Sequence, residues 1–202
     1  MKDDFLFNSA HAALVFAFNF SMQCYDRPMM NRLASPSMGT GKGLAGLDGA
    51  AQAGIIRSEV LRLGRLNEAL LIARVAPRFE PCECRSACCS GKKPNKDWSN
   101  AIGFLSDHVK SAALAGCKSN GILRREYVIR YFSPKENRVS LDTLSAKYDV
   151  AVNTISAHNA KVSTLLGGMR GRNGKEGSPG IEEMAQTVAD YRFREIGLVG
   201  EN

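Results

Sequence analysis

Apolar side chains recur along much of this chain at the three- and four-residue spacing of an α-helix, which predicts a mainly helical protein. One helix is expected to run from Asp48, its N-cap, to about Leu63, and another to continue after Gly64 as far as Pro77. A further helix is expected after Asp97, its cap, and no segment has a convincing strand pattern. The apolar face of this further helix consists of Trp98, Ala101, Ile102, Leu105, Val109, Ala112 and Ala113.

Apolar segments at the two ends of the chain complete the expected helical bundle. Residues 9–22 contain Phe16, Phe18 and Phe20, which fit one face of a helix or alternate positions of a strand, and we favour the helix. A last helix is expected over residues 181–195, where it docks on the body of the protein or mediates formation of a homodimer. One face of this last helix carries Met184, Val188 and Tyr191.

Residues 141–160, with the sequence LDTLSAKYDVAVNTISAHNA, have the pattern of two short crossed helices. The first helix is expected to begin after Ser140, its N-cap, and the second to run from near Asn153 to about Leu166. Asp149 stands where the connecting turn needs a left-handed residue, a conformation that Asp tolerates better than most residues. The contact between the two helices is expected to bury Leu144, Tyr148, Val150 and Ile155.

The positive charge of the chain lies in and around this helix pair. Residues 118–175 hold eleven basic and four acidic side chains, whereas the remaining 16 bases and 16 acids cancel, so this segment carries the whole formal charge of +7. A segment this basic attracts nucleic-acid phosphates, an anionic membrane surface or an acidic protein, or is only a solvated surface. The two-helix pattern favours double-stranded DNA as the partner.

The stretch resembles the helix-turn-helix of bacterial transcription regulators, and Thr154-Ile155-Ser156-Ala157-His158 is similar to the recognition helix of LuxR-type regulators and of the last domain of sigma factors. The resemblance covers about thirty of the 202 residues and implies that the second helix enters the major groove. The side chains then expected at base edges are Val152, Asn153, Thr154, Ser156, Ala157 and Asn159. Candidates for phosphate contacts are Lys147, Lys161, Arg138, Arg124 and Arg125.

Residues 168–180, which follow this region, are rich in glycine and basic side chains. They are either a basic arm that follows a DNA groove or a plain linker. The expected organisation is a Phe-rich N-terminal segment with a flexible loop (1–46), a helical region (47–117), the basic helix-turn-helix region (118–167), the Gly-rich segment (168–180) and a C-terminal helix (181–202).

Four of the six cysteines fall within eight residues, in a segment that we call the cysteine knuckle (82–91). Closely spaced thiolates beside basic residues suit a structural Zn²⁺ better than disulfides in a reducing cytoplasm. The alternative is a group of thiols that bind no metal. Because adjacent cysteines seldom ligate one ion together, Cys24, Cys117 or His108 can complete the site. The expected zinc ligands are Cys82, Cys84, Cys88 and Cys89.

The sequence as a whole favours a mainly α, cytoplasmic DNA-binding regulator of a bacterium or bacteriophage, and not an enzyme. No apolar run approaches the ~20 residues of a membrane helix, and Asp3 and Asp4 stand where a secretory signal is basic. A cysteine knuckle ahead of a sigma-like helix-turn-helix resembles the layout of phage late-gene antiterminators, which implies RNA polymerase as a second partner. The alternatives are an adaptor that binds only protein and a DNA-processing enzyme, for which the chain lacks clustered carboxylates.

Overall fold

A computed structural model describes residues 5–25, 46–82, 84, 90–169, 171 and 177–200. The described residues form eight α-helices and four short strands, which confirms the expected mainly α class. None of these helices combines the length and the apolar character needed to cross a bilayer. The flexible loop expected before residue 46 lies largely outside the described residues.

The helices are, in chain order, α1 (Ala10–Tyr25), α2 (Gly46–Arg62), α3 (Arg65–Val75), α4 (Lys96–Ala112), α5 (Gly121–Phe132), α6 (Leu141–Tyr148), α7 (Val152–Gly167) and α8 (Ile181–Glu195). A short 3₁₀ turn at Lys135–Asn137 precedes α6. The strands form two antiparallel pairs, β1 (Phe79–Pro81) with β2 (Lys92–Pro94), and β3 (Gly168–Met169) with β4 (Ser178–Pro179). The sequence did not predict these strands, because two or three residues are too few to show an alternating pattern.

The chain divides into two compact units. The first combines both ends of the chain, Met1–Ser99 with Gln186–Asn202, and the second is Asn100–Ala185. Within the first unit the two ends meet where the Phe7 amide donates to the Leu198 carbonyl at 3.3 Å. The sequence treated residues 181–202 as a separate segment, whereas their larger part folds with the N-terminal helices.

The core of the first unit forms where α1 packs against α2 and α3. Residues 10–25 are helical, which agrees with the helix favoured over a strand for the Phe-rich segment. The Phe16 ring lies 5.3 Å from the rings of both Phe7 and Phe20, measured between centroids. The buried apolar side chains of this core include Phe7, Leu14, Phe16, Phe18, Ile56, Val60, Leu70 and Leu71.

A buried carboxylate joins α2 to the C-terminal helix within the first unit. The Glu59 side chain accepts from the Arg192 guanidinium at 2.7 Å and from Arg62 at 2.5 Å. A carboxylate that is buried this deeply needs such partners, because an unpaired charge in the interior is strongly unfavourable. The second half of α8 is therefore fixed by an ion pair as well as by the buried side chains Ala189 and Phe193.

Two of the expected helix caps are wrong by a few residues. The helix expected to begin after Asp97 is capped by Asn95, whose Oδ1 accepts from the amides of Asp97 and Trp98 at 2.9 and 3.3 Å. Helix α2 begins at Gly46, so Asp48 lies in its first turn and not before it. Both aspartates still place a negative charge at the positive end of the helix dipole, which is favourable in either position.

In the second unit, α7 packs against both α5 and α6. Helix α5 begins after Asn120, whose side chain accepts from the Ile122 amide at 2.9 Å, and it ends at Phe132, ahead of a proline. The buried apolar side chains that these three helices contribute are Leu123, Tyr127, Val128, Phe132, Leu144, Ile155, Val162 and Leu166.

Candidate nucleic-acid interface

Helices α6 and α7 are held in a fixed relation by side chains at the start of α6 and in the turn. Ser140 is the N-cap of α6, as the sequence predicts, and its Oγ accepts from the Thr143 amide at 3.0 Å. Asp149 adopts the expected left-handed conformation, with φ 50° and ψ 48°. The small side chain of Ser145 donates to the Val150 carbonyl at 2.7 Å, so the turn between the helices is stabilised from within α6.

One face of α7 is buried along its whole length. Ile155, Val162 and Leu166 are fully enclosed, and Leu144 on α6 is 1% exposed. The spacing of these positions keeps them on a single side of a helix with 3.6 residues per turn. The direction of α7 is consequently set by the core of the second unit, and its opposite side is left to solvent.

His158 belongs to this buried face and not to the exposed one. Its ring lies edge-on to the Tyr127 ring at 6.1 Å between centroids. Burial in the first place, and the positive charge of Lys161 in the second, lower the pKa of His158 below its usual 6.5. Burial also raises the pKa of Tyr127 to about 12, so both rings are neutral near pH 7. His158 therefore packs in the core of the second unit.

The residues expected at base edges lie almost entirely on the exposed side of α7. Asn159 is half-buried, and Val152 is 40% exposed. Four further members are exposed in the first two turns: Asn153, Thr154, Ser156 and Ala157. The sequence analysis did not include Ala160 and Thr164, which continue the same exposed face and which helical periodicity alone identifies.

The N-terminus of α7 suits an anionic ligand. Ala151 is the N-cap and offers no side-chain acceptor, and the first turn contains no acidic residue. The amides of a first helical turn carry a partial positive charge and point out of the N-terminal end of the helix. A phosphate placed there meets no competing carboxylate on α7.

The basic side chains expected to contact phosphates differ in their exposure and in their ion pairs. Lys161 is exposed, and its Nζ lies 3.4 Å from the Cys117 Sγ. Lys147 is also exposed, but it pairs with Glu126 at 3.1 Å, so part of its charge is neutralised. Arg125 is half-buried on α5. Lys161 is the member of this set with the clearest access to a phosphate.

Two of the arginines expected to contact phosphates donate hydrogen bonds to backbone carbonyls of the protein. Arg124 is 9% exposed, and its Nη1 donates to the Ser119 carbonyl and hydroxyl at 2.6 and 3.1 Å. It is therefore removed from the candidate surface, because a guanidinium buried in this way cannot reach a phosphate. Arg138 remains exposed, and it donates to the carbonyls of Ser133 and Tyr131, which stabilises the chain ahead of α6.

The two ends of the segment that follows α7 are paired with each other. Gly168 pairs with Pro179, and Met169 with Ser178, so the intervening residues are closed at their base by β3 and β4. Gly168 has φ +75°, and a Cβ there would collide with the Ser178 carbonyl oxygen. Most of the arm or linker expected at 168–180 lies outside the described residues, but its ends are joined beside the C-terminus of α7.

The cysteine knuckle is also closed at its base, by β1 and β2. The Cys82 amide donates to the Gly91 carbonyl at 2.9 Å, one step beyond the ladder that pairs Pro81 with Lys92. Cys82 is half-buried and Cys84 is exposed, while Cys88 and Cys89 lie outside the described residues. Within the described part of the chain, no group of three or more His, Cys, Asp or Glu side chains is arranged to hold a metal ion.

Comparisons with protein-family models, with curated proteins and with solved structures gave no match to this chain.

Proposed function

We propose that this protein is a sequence-specific DNA-binding regulator that places α7 in the major groove. The exposed side of the first two turns of α7 carries the proposal, because it consists of short polar and small apolar side chains on a helix whose other side is buried. Asn153 is able to form a bidentate contact with adenine, and Thr154 and Ser156 are able to bond either bases or phosphates. Val152 is suited to the methyl group of thymine.

Phosphate contacts supply the part of the affinity that depends on salt. Lys161, the first-turn amides of α7 and, with part of its charge neutralised, Lys147 are the proposed contacts in the described chain. These contacts fix the register of α7 on the duplex, and the base contacts then select the sequence.

Selection from a random library of duplex DNA, with the purified full chain at two salt concentrations, tests this proposal. We expect an enriched motif at both concentrations and an affinity that falls as the salt concentration rises. Salt-sensitive binding without any motif would contradict base readout by α7. Absence of any DNA binding would favour an adaptor that binds only protein. In a separate assay, metal-dependent cleavage of plasmid DNA would favour a DNA-processing enzyme.

RNA polymerase is the proposed second partner, as in the antiterminator-type regulators whose layout this chain resembles. Co-sedimentation of the full chain with bacterial RNA polymerase, with and without the selected DNA, tests this partner. We expect co-sedimentation of wild-type protein and of a variant that no longer reads DNA. If neither form sediments with the polymerase, the regulator acts on DNA alone.

Zn²⁺ is the proposed structural cofactor of the cysteine knuckle. The β1–β2 pair supports this assignment, because it brings together the two ends of the segment that contains all four expected ligands. Elemental analysis should find about one zinc ion per chain in wild-type protein, and less in Cys82→Ser and Cys84→Ser. Folded, metal-free protein with four reactive thiols in the knuckle would refute the assignment.

A further inference from the structure

One carboxylate on α5 binds the C-terminal end of α6. The Glu126 Oε1 accepts from the Tyr148 hydroxyl at 3.0 Å and from the Lys147 ammonium at 3.1 Å. The same ammonium lies over the Tyr148 ring, 5.0 Å from its centroid. These three side chains therefore meet where α5 contacts α6, directly before the left-handed Asp149 that leads into α7.

Glu126 differs from the other acidic side chains of the basic segment. Residues 118–175 contain four acids, and Glu126 is the one that forms an ion pair within the described part of the chain. Its side chain is 21% exposed, whereas that of Lys147 is 57% exposed. The carboxylate is thus partly enclosed by the protein, and the ammonium that it binds remains accessible to an anion from solvent.

Lys147 keeps its proton in this contact. Hydrogen bonding to Tyr148 in the first place, and to Glu126 in the second, raises the pKa of Lys147 above its usual 10.5. The lysine is therefore positively charged at neutral pH, and the carboxylate beside it is what limits its attraction for a second anion. Because exposed ion pairs contribute little free energy, a phosphate is able to displace this carboxylate.

We propose that Glu126 lowers the affinity for DNA by competing with the DNA backbone for Lys147. This inference rests on the proposed function, in which Lys147 is one of the phosphate contacts. In the free protein Glu126 binds the ammonium. In the complex a phosphate takes its place, and Glu126 retains the Tyr148 hydroxyl. Because the exchange involves no base, it lowers affinity for every DNA sequence alike and leaves base selection to α7.

Lys161 provides the comparison within the same protein. Its contact in the described chain is the Cys117 sulfur at 3.4 Å, and no described carboxylate pairs with it. A phosphate therefore binds Lys161 without displacing a carboxylate. Lys147→Met should reduce the slope of log affinity against log salt by clearly less than the reduction of about one expected for Lys161→Met.

Titration of labelled duplex DNA with the full chain between 50 and 200 mM salt tests the competition. Glu126→Gln removes the negative charge and keeps an acceptor for the Tyr148 hydroxyl. It should bind the selected DNA and unrelated DNA more tightly, with a salt slope steeper by up to about one, so the gain at 50 mM is up to about three times the gain at 200 mM. Glu136→Gln is the matched control, since it removes the same charge from the exposed 3₁₀ turn, and it should keep the wild-type slope.

Lys147→Met combined with Glu126→Gln separates competition for the lysine from long-range repulsion between the carboxylate and DNA. We expect the double variant to lose the gain and to have the slope of Lys147→Met alone. A gain that persists in the double variant, or a wild-type slope in Glu126→Gln, would overturn the proposal. Denaturant unfolding shows whether each variant is folded.

The comparison of Lys147→Met with Lys161→Met tests the proposal even if Glu126→Gln does not fold. Equal reductions of the salt slope in these two variants would overturn it. Absence of DNA binding by the wild type would overturn the proposed function and this inference together. Salt-sensitive DNA binding that does not change in Glu126→Gln would overturn the inference alone.

Discussion

Helices α7 and α8 are alike in the sides they bury and differ in the sides they expose. Helix α7 encloses Ile155 and Leu166 and exposes Asn153, whereas α8 encloses Phe193 and exposes Tyr191. The buried sides determine where each helix lies in the fold. The exposed side of α7 carries the proposed hydrogen bonding to DNA, whereas the exposed side of α8 is a row of apolar side chains.

The contributions of the two sides of α7 to stability are best distinguished by shortening one side chain on each side to alanine. Ile155→Ala should lower the free energy of unfolding by about 2–5 kcal/mol, because it leaves a cavity beside a fully buried position. Ser156→Ala, one residue away on the exposed side, should change it by less than about 0.5 kcal/mol. Denaturant unfolding of both variants measures the difference, and similar losses would mean that the two sides of α7 are not distinct.

The next largest effect is expected on DNA affinity. Asn153→Ala should weaken binding to the selected sequence by about five- to 150-fold, since a good bidentate base contact is worth roughly 1–3 kcal/mol. Its unfolding free energy should remain close to that of the wild type, because the side chain is exposed. Titration of labelled duplex DNA checks this expectation.

Asn137→Ala is the matched control for that experiment, as it removes the same exposed side chain from the 3₁₀ turn. It should leave affinity for the selected sequence unchanged. Equal losses in Asn137→Ala and Asn153→Ala would mean that the exposed side of α7 has no special role in recognition.

The features of the α6–α7 pair that the sequence predicted correctly are local ones. Ser140 caps α6 through an amide three residues away, and Asp149 adopts a conformation that depends on its own side chain and its neighbours. Neither needs knowledge of the rest of the fold. Asn95 and Asp97 show the limit of this reasoning, because both residue types cap helices and only the observed hydrogen bonds distinguish them.

Features that depend on distant contacts were not predictable in the same way. Arg124 was predicted to contact phosphate because of its charge alone. Its burial against Ser119 follows from how α5 packs, which the sequence does not show. The pairing of Gly168 with Pro179 joins residues eleven positions apart through strands too short to leave a pattern. The spacing of Met184 and Val188 showed a shared face, and only the fold shows that this face is exposed.

The buried side of α7 should also make stability depend on pH. The lowered pKa of His158 means that the unfolded chain binds a proton more readily than the folded one. The free energy of unfolding should therefore fall as the pH drops below about 6.5, and then level off below the folded pKa. The slope from one such group is at most about 1.4 kcal/mol per pH unit.

His158→Phe keeps a ring against Tyr127 and removes the titrating group, so its stability should lack this part of the pH dependence. His11→Gln, at an exposed position, should retain it. Unfolding curves at several pH values between 5 and 8 make the comparison. If His158→Phe keeps the wild-type slope, another group is responsible and His158 is not neutral through burial.

The smallest expected effect distinguishes a phosphate contact from a base contact on the same helix. Lys161→Met should lower affinity for all DNA sequences alike and reduce the slope of log affinity against log salt by about one. That change corresponds to about a threefold difference between 50 and 200 mM salt. Lys110→Met, at another exposed lysine, should leave the slope unchanged. If Lys161→Met instead lowered affinity for some DNA sequences more than for others, Lys161 would contact a base, and the base-reading surface would extend along α7 as far as this residue. The comparison between sequences therefore decides how far that surface reaches.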